Sequence, residues 1–345
     1  HLGLVYNLSF VPQIKNYVQP QQNIPKIKSI NKTNIIHHSK NELFNKSHIN
    51  KTIINDFLAQ PLIGLQSISD FPNYMNSVIQ CFCQIEKFVN YFKYNKNILN
   101  IINKYNRENK SCLTNSFKII IENLWPTENK YINNDYYHKN NSNKYFAPYE
   151  PYVFMNIIKN NFETPKDLIN FIIMNLHEEL NKKKNDENLF DNNIMPNQSD
   201  REAMLNYFLQ NFMKECNSFI SDNFYGTILN QFECLNCKSK KYNYNIYSYL
   251  IFPLEDVVKF KENKLMLNNI NSITIDDCFE FNQRIQTLSG EDAITCTECK
   301  LIYPSNNNTF IFTAPEILII IFEKSKEMDI KLEVNLELNL YDHII

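Results

Sequence analysis

Residues 64–85 read GLQSISDFPNYMNSVIQCFCQI, and the pattern changes part-way along. From Tyr74 onward an apolar period sets in. Val78, Phe82, Ile85, Val89 and Phe92 recur at alternating steps of four and three, the spacing of one buried helix face. The spacing predicts a core helix that carries these five residues inward. Asn73 stands just before it, and Asn is among the best N-cap residues because its side chain can bond the free N–H groups of the first turn.

Around this stretch the chain is globular. Its 345 residues are 43% apolar and 13% aromatic, enough for a substantial core in one large domain or two ordinary ones. The formal net charge is −2, and the Lys and Arg residues are scattered, so there is no basic stripe of the kind that binds nucleic acid. Only four glycines occur (Gly3, Gly64, Gly226, Gly290), which excludes a Gly-rich phosphate loop. The longest apolar run, 317–322, is far below the roughly 20 residues that span a bilayer. The N-terminus has no signal-peptide pattern, so the expected location is intracellular, cytoplasm or nucleus, with no membrane and no direct nucleic-acid partner.

Residues 1–60 are rich in Asn, Lys, Ile and Ser without a sustained period, and read as a low-complexity extension, ordered at most in part by docking. Farther on, Thr164-Pro165-Lys166-Asp167 announces a second helix. Thr caps, Pro occupies the first helical position and Asp returns the cap, with Leu168, Ile172, Leu176 and Leu180 on one face. Lys182 to Lys184 suit the negative end of its dipole. After about Asn223 the pattern turns to strands, with an alternating YNYNIYSYLIFPL and a continuous NTFIFTAPEILIIIF. A helical half thus precedes a β half.

Four of the nine cysteines form two knuckles, Cys234-Leu-Asn-Cys237 and Cys296-Thr-Glu-Cys299. Each tight turn offers two thiolates, and two such pairs satisfy tetrahedral zinc at ~2.3 Å. A closed four-thiolate site has no open position, so the zinc is expected to be structural. Disulfides are the competing reading, disfavoured without a secretory signal. Residues 238–295 separate the knuckles, which predicts one or two intervening β-hairpins and a metal clip at the base of a β projection. Cys81, Cys83, Cys112, Cys216 and Cys278 read as buried apolar residues.

With helix, knuckles and strands in this order, the chain resembles the ubiquitin-specific protease family, papain-like deubiquitinases built as thumb, fingers and palm. The first box, GLQSISDFPNYMNSVIQCF, keeps Gly64, Leu65, Tyr74, Met75, Asn76 and Ser77 of the family pattern. ETPKDLINFIIMNLHEEL is similar to the family's second box. FYGTILNQFECLNC and SITIDDCFEFNQRIQTLSGEDAITCTECK resemble the two knuckle segments. APEILIIIFEKSK with LELNLYDHII resembles the first palm strands. The resemblance implies an α+β fold over 61–345, with a helical thumb at 61–215, zinc-clipped β fingers at 216–300 and the start of a β palm, incomplete at the C-terminus, at 301–345.

The departures bear on function. Aligned backward from Tyr74, the family's nucleophilic Cys falls on Asn73, and the box is one residue longer than the pattern. An amide is neither nucleophilic nor titratable. The oxyanion-hole Asn maps to Ser67 counted from Gly64, or to Ile68 counted from Tyr74. The His box would follow the strand that 336–341 resembles and is missing from this sequence. His343 reads as an end residue and His177 as a partly exposed structural one. The resemblance then implies a catalytically inactive domain that binds ubiquitin, a ubiquitin-like protein or other protein subunits. Two alternatives remain open at this stage: a scaffold subunit of a spliceosomal or deadenylation assembly, and an active cysteine deubiquitinase with an unrecognised nucleophile.

Overall fold

The computed structural model describes residues 2–7, 63–67, 71–125, 148–158, 162–182, 195–267, 269–325, 329–335 and 337–345. The chain divides into two compact units, Asn16–Glu163 and, as the second, His1–Lys15 with Thr164–Ile345.

The first unit is helical: α1 (Tyr74–Cys83), α2 (Glu86–Tyr94), α3 (Asn97–Arg107), α4 (Leu113–Leu124) and α5 (Tyr152–Ile158). All five residues of the predicted apolar face are buried. The helix itself is two. Ile85 adopts extended backbone (φ −80°, ψ 109°) and caps α2, so the chain turns between α1 and α2 while keeping the same residues inward. The turn sets Phe82 against Phe88, ring centroids 5.4 Å apart, and both against Phe117 of α4 at 6.1 and 5.2 Å. Phe154 of α5 meets Phe117 edge-on at 5.6 Å, and Trp125 Nε1–H donates to Cys83 O at 2.9 Å. Aromatic pairs at these separations add to plain area burial, and they make the break in the helix worth its lost hydrogen bonds.

The second unit opens with α6 (Pro165–Leu180), whose start matches the sequence reading in detail: the Thr164 hydroxyl accepts from Asp167 N–H at 3.2 Å, and Asp167 Oδ2 accepts from Thr164 N–H at 3.2 Å. Two further helices follow, α7 (Arg201–Glu215) and α8 (Phe219–Phe224), neither of which the sequence reading singled out. Lys183 and Lys184 lie outside the described residues.

The β half contains β2 (Gly226–Cys234), β3 (Lys240–Tyr247), β4 (Leu250–Pro253), β5 (Ser272–Thr274), β6 (Gln286–Leu288), β7 (Ile294–Thr295), β8 (Ile302–Tyr303), β9 (Ser305–Thr313), β10 (Ile317–Glu323) and β11 (Lys331–Glu333). It also holds α9 (Leu254–Leu265) and α10 (Ile275–Asn282). The expectation of hairpins between the knuckles is therefore corrected. After β3 the chain forms β4 beside β10, then two helices around β5, and only then β6 and β7. A pure strand reading fails there because Thr274 and Asp277 form a capping box that starts α10, a signal overridden in the sequence by the apolar strands around it.

The long sheet has order β3-β2-β9-β6, antiparallel throughout, and a β7–β8 ladder stands apart from it. β10 is buried along its apolar run and lies between β4, parallel to it, and an N-terminal strand β1 (Leu2–Asn7), antiparallel to it. The sequence reading named no strand at residues 2–7, because six residues without a buried partner in view give no period to detect. Residues 8–62 lie outside the described part. The core of this unit gathers Phe252, Phe279 and Phe322 with Val257, Ile273 and Ile311, all at most 2% exposed.

Candidate functional site

Helix α1 begins where the sequence predicts. Met75 N–H donates to Pro72 O at 3.0 Å and closes the first turn, leaving Asn73 at the N-cap. The expected capping bond is not formed. Asn73 already has helical backbone (φ −57°, ψ −28°), whereas a capping side chain reaches the first-turn N–H groups from extended backbone. Its carboxamide is exposed at the start of the helix.

The residues kept in the first box are those that hold it together. Tyr149 N–H donates to Gly64 O at 2.9 Å and Gln66 N–H to Tyr149 O at 2.8 Å, so the upstream strip lies beside Tyr149 in a parallel bridge. Asn76 Nδ2 donates to Gln66 O at 2.8 Å and ties this strip to the first turn of α1. Tyr74 OH donates to Phe162 O at 2.8 Å, and Met75 is 2% exposed. Asn76 Oδ1 is buried with no partner. Ser67 is exposed, and Ile68 lies outside the described residues.

Cys81 and Cys83 lie far along α1, not at its start. Cys83, Cys112 and Cys278 are buried, as expected; Cys216 is only half-buried and Cys81 is exposed, which corrects the reading for those two. Cys81 falls one turn after Ser77, on the outer face of α1, while 78, 79 and 82 point inward. Partial burial still pushes its thiol above the ordinary range, and burial does so far more for Cys83. Both are protonated near neutrality and lie well inside the helix, away from its N-terminus.

The two histidines are committed elsewhere. His177 Nδ1 lies 2.7 Å from the buried Ser218 hydroxyl, and its ring packs on Tyr225 at 5.0 Å. His343, read as an end residue, is in fact buried: its ring stacks on Phe279 at 4.8 Å, and Nε2 lies 3.2 Å from Asp276 Oδ1. Spacing gave no hint of this, since Asp276 and Phe279 belong to α10, more than sixty residues earlier.

The four knuckle thiols do come together. The Sγ atoms of Cys234, Cys237, Cys296 and Cys299 all lie within 4.8 Å of one another. Tetrahedral zinc with ~2.3 Å bonds needs sulfurs about 3.8 Å apart, and Cys237 Sγ and Cys296 Sγ are 3.6 Å apart, so the cage fits the ion. The same turn builds both corners. Lys238 N–H donates to Cys234 O and Lys300 N–H to Cys296 O, each at 2.9 Å; both lysines adopt left-handed backbone, φ 61° and 59°. The cluster sits at the turn end of the β2–β3 hairpin and beside the β7–β8 ladder, not at the base of the projection as expected. The Cys299 N–H and then the Ser239 hydroxyl hold the Cys296 thiol below its ordinary value, while Cys299, against the bond from Asn236, is pushed up by the neighbouring thiols.

Residues 69–343, well over half of the chain, match the sequence profile of the ubiquitin carboxyl-terminal hydrolase family. The chain belongs to that family. One relative is the ubiquitin carboxyl-terminal hydrolase Usp2 of Drosophila melanogaster, 22% identical over 273 residues. The match takes in 79% of this chain and 26% of the fly protein, so the chain spans about a quarter of that relative's length. The helical first unit and the strand-rich second unit give this hydrolase-family domain the α+β class that the resemblance implies. Asn73 and all four knuckle cysteines lie inside the matched residues. Among the described residues no helix is long and apolar enough to cross a membrane.

Proposed function

We propose that this hydrolase-family domain binds ubiquitin or a ubiquitin-like protein without cleaving it, and that its four knuckle cysteines hold one structural zinc. The observation that carries the reading is the start of α1. The box is held by Tyr74, Met75 and Asn76, while the position aligned with the nucleophile presents an exposed carboxamide. Acyl transfer needs an attacking thiolate, which a helix N-terminus would stabilise; an amide has no lone pair basic enough to attack and no proton to shed near neutrality. Zinc, when bound, supplies cross-linking only, since four thiolates leave no open position for water or substrate.

Support for ubiquitin as the bound class comes from the family and from the fly relative, whose name describes hydrolysis at the ubiquitin carboxyl terminus. The raised thiol of Cys81 argues against a substitute nucleophile. Two measurements on the purified chain test the proposal. Ubiquitin-aminocoumarin is expected to stay uncleaved, and calorimetry with mono-ubiquitin to show micromolar binding, about −8 kcal/mol. Turnover that persists through contaminant controls overturns the inactive reading. Absence of binding by a folded, zinc-loaded chain overturns the ubiquitin reading and favours a scaffold with another protein partner.

A further inference from the structure

The two knuckles are built on the same backbone, yet their fifth positions differ. Cys234 N–H donates to Ser239 O in the first and Cys296 N–H to Leu301 O in the second, each at 3.0 Å, so Ser239 and Leu301 are counterparts. Leu301 turns outward and is 58% exposed. Ser239 turns inward: its Oγ lies 3.1 Å from Cys237 Sγ and 3.3 Å from Cys296 Sγ, one sulfur from each knuckle. On the other side of the cage Asn236 Nδ2 donates to Cys299 Sγ at 3.4 Å. Its counterpart in the second knuckle, Glu298, has no N–H donor in its side chain to offer.

We propose that Ser239 and Asn236 are positioning residues of the metal cage, bonding sulfur from outside the ligand set. The inference rests on the zinc reading above. Four thiolates around one divalent ion carry a net charge of −2, and the sulfurs repel one another until outside donors spread that charge. The Ser239 hydroxyl lies between Cys237 and Cys296, the pair that joins the two knuckles, and donates to one thiolate at a time. Asn236 does the same for Cys299. Cys237 is exposed, so a donor on its sulfur also lowers its reactivity toward alkylating reagents in solution.

The test uses the full chain loaded with cobalt(II) or zinc(II), with Ser239→Ala, Asn236→Ala, Ser239→Thr and, as a control on side-chain loss at the counterpart position, Leu301→Ala. Loss of an outer partner typically costs 10–100-fold in metal affinity, so Ser239→Ala is expected to weaken zinc about tenfold in competition with a chromophoric chelator. Its sulfur-to-cobalt charge-transfer bands should move to lower energy, because an unbonded thiolate gives up its electron more easily. Asn236→Ala should shift in the same direction, while Ser239→Thr, which keeps the hydroxyl, and Leu301→Ala should match the native chain. Native-like affinity and bands in Ser239→Ala, on a native chain that shows a four-thiolate cobalt spectrum, overturn the proposal. A native chain that takes up neither metal overturns the zinc reading and this inference with it.

Discussion

At the level of single residues, the proposed loss of catalysis comes down to one side chain, Asn73. Its carboxamide is exposed at the start of α1, where the proposed alignment puts the nucleophile, and an amide has no electron pair that can attack. Restoring the thiol alone is expected to give no measurable ubiquitin-aminocoumarin turnover. On the proposed alignment the box is one residue too long and the oxyanion position falls on Ser67 or Ile68, and the rings of His177 and His343 are held by Ser218 and by Asp276 with Phe279. Hydrolysis by Asn73→Cys would show that the geometry tolerates these losses. Gly226 carries a second prediction at this scale. A Cβ there would lie 2.5 Å from the Tyr247 ring and 2.6 Å from Thr313 O, and Thr313 O is backbone that also accepts from Tyr247 OH at 3.2 Å. Gly226→Ala should destabilise the chain by about 1–3 kcal/mol, the range for overpacking a tight site. Chemical denaturation checks it, and an unchanged midpoint counts against the close approach.

Among the elements, α9 and α10 show how charge holds two helices that strand patterning hides. Lys261 Nζ lies 2.7 Å from Asp277 Oδ2, with both side chains no more than 20% exposed. Burial works against the Asp277 charge. The Lys261 ammonium and the Thr274 N–H and hydroxyl outweigh it, and hold the carboxyl below its ordinary value. A carboxyl lowered in the folded state stabilises the fold above its unfolded value of about 3.9, and that contribution is lost as pH falls through the folded value. The melting temperature of Asp277→Asn should therefore lie below the native one at neutral pH, with the gap closing below about pH 4. A gap that stays constant across that range removes the linkage. The contrast with α6 is instructive: its Thr-Pro-x-Asp start is local in sequence and was legible, whereas the α9–α10 clip joins residues sixteen apart across a strand.

For the whole molecule, the cysteine cage joins the β2–β3 turn to the 296–301 loop, segments separated by two α-helices and five strands. Structural zinc sites contribute on the order of 10 kcal/mol when they form, so removing the metal should release the finger sheet. Chelation of the purified chain is expected to lower its melting temperature by several degrees or more and to expose Cys234 and Cys296, both buried in the folded chain, to thiol reagents. A melting temperature indifferent to chelator sinks the zinc assignment. β1 belongs to this scale as well: it completes the β10 sheet from the far end of the sequence, where no local pattern announces it.

The sequence alone determined whatever is encoded within a few residues: the buried period through Phe92, the Thr164 cap, the two knuckles and the amide at position 73. These depend on short-range geometry, in which spacing fixes which side chains share a face or a turn. Only the tertiary structure decided that the long apolar period folds as two helices, that β1 pairs with β10, that His343 is buried against Phe279, and that Ser239 faces the sulfurs while Leu301 faces water. Each of these depends on which distant residue arrives opposite, and aromatic packing, a buried ion pair or a thiol cage has no counterpart in the local pattern.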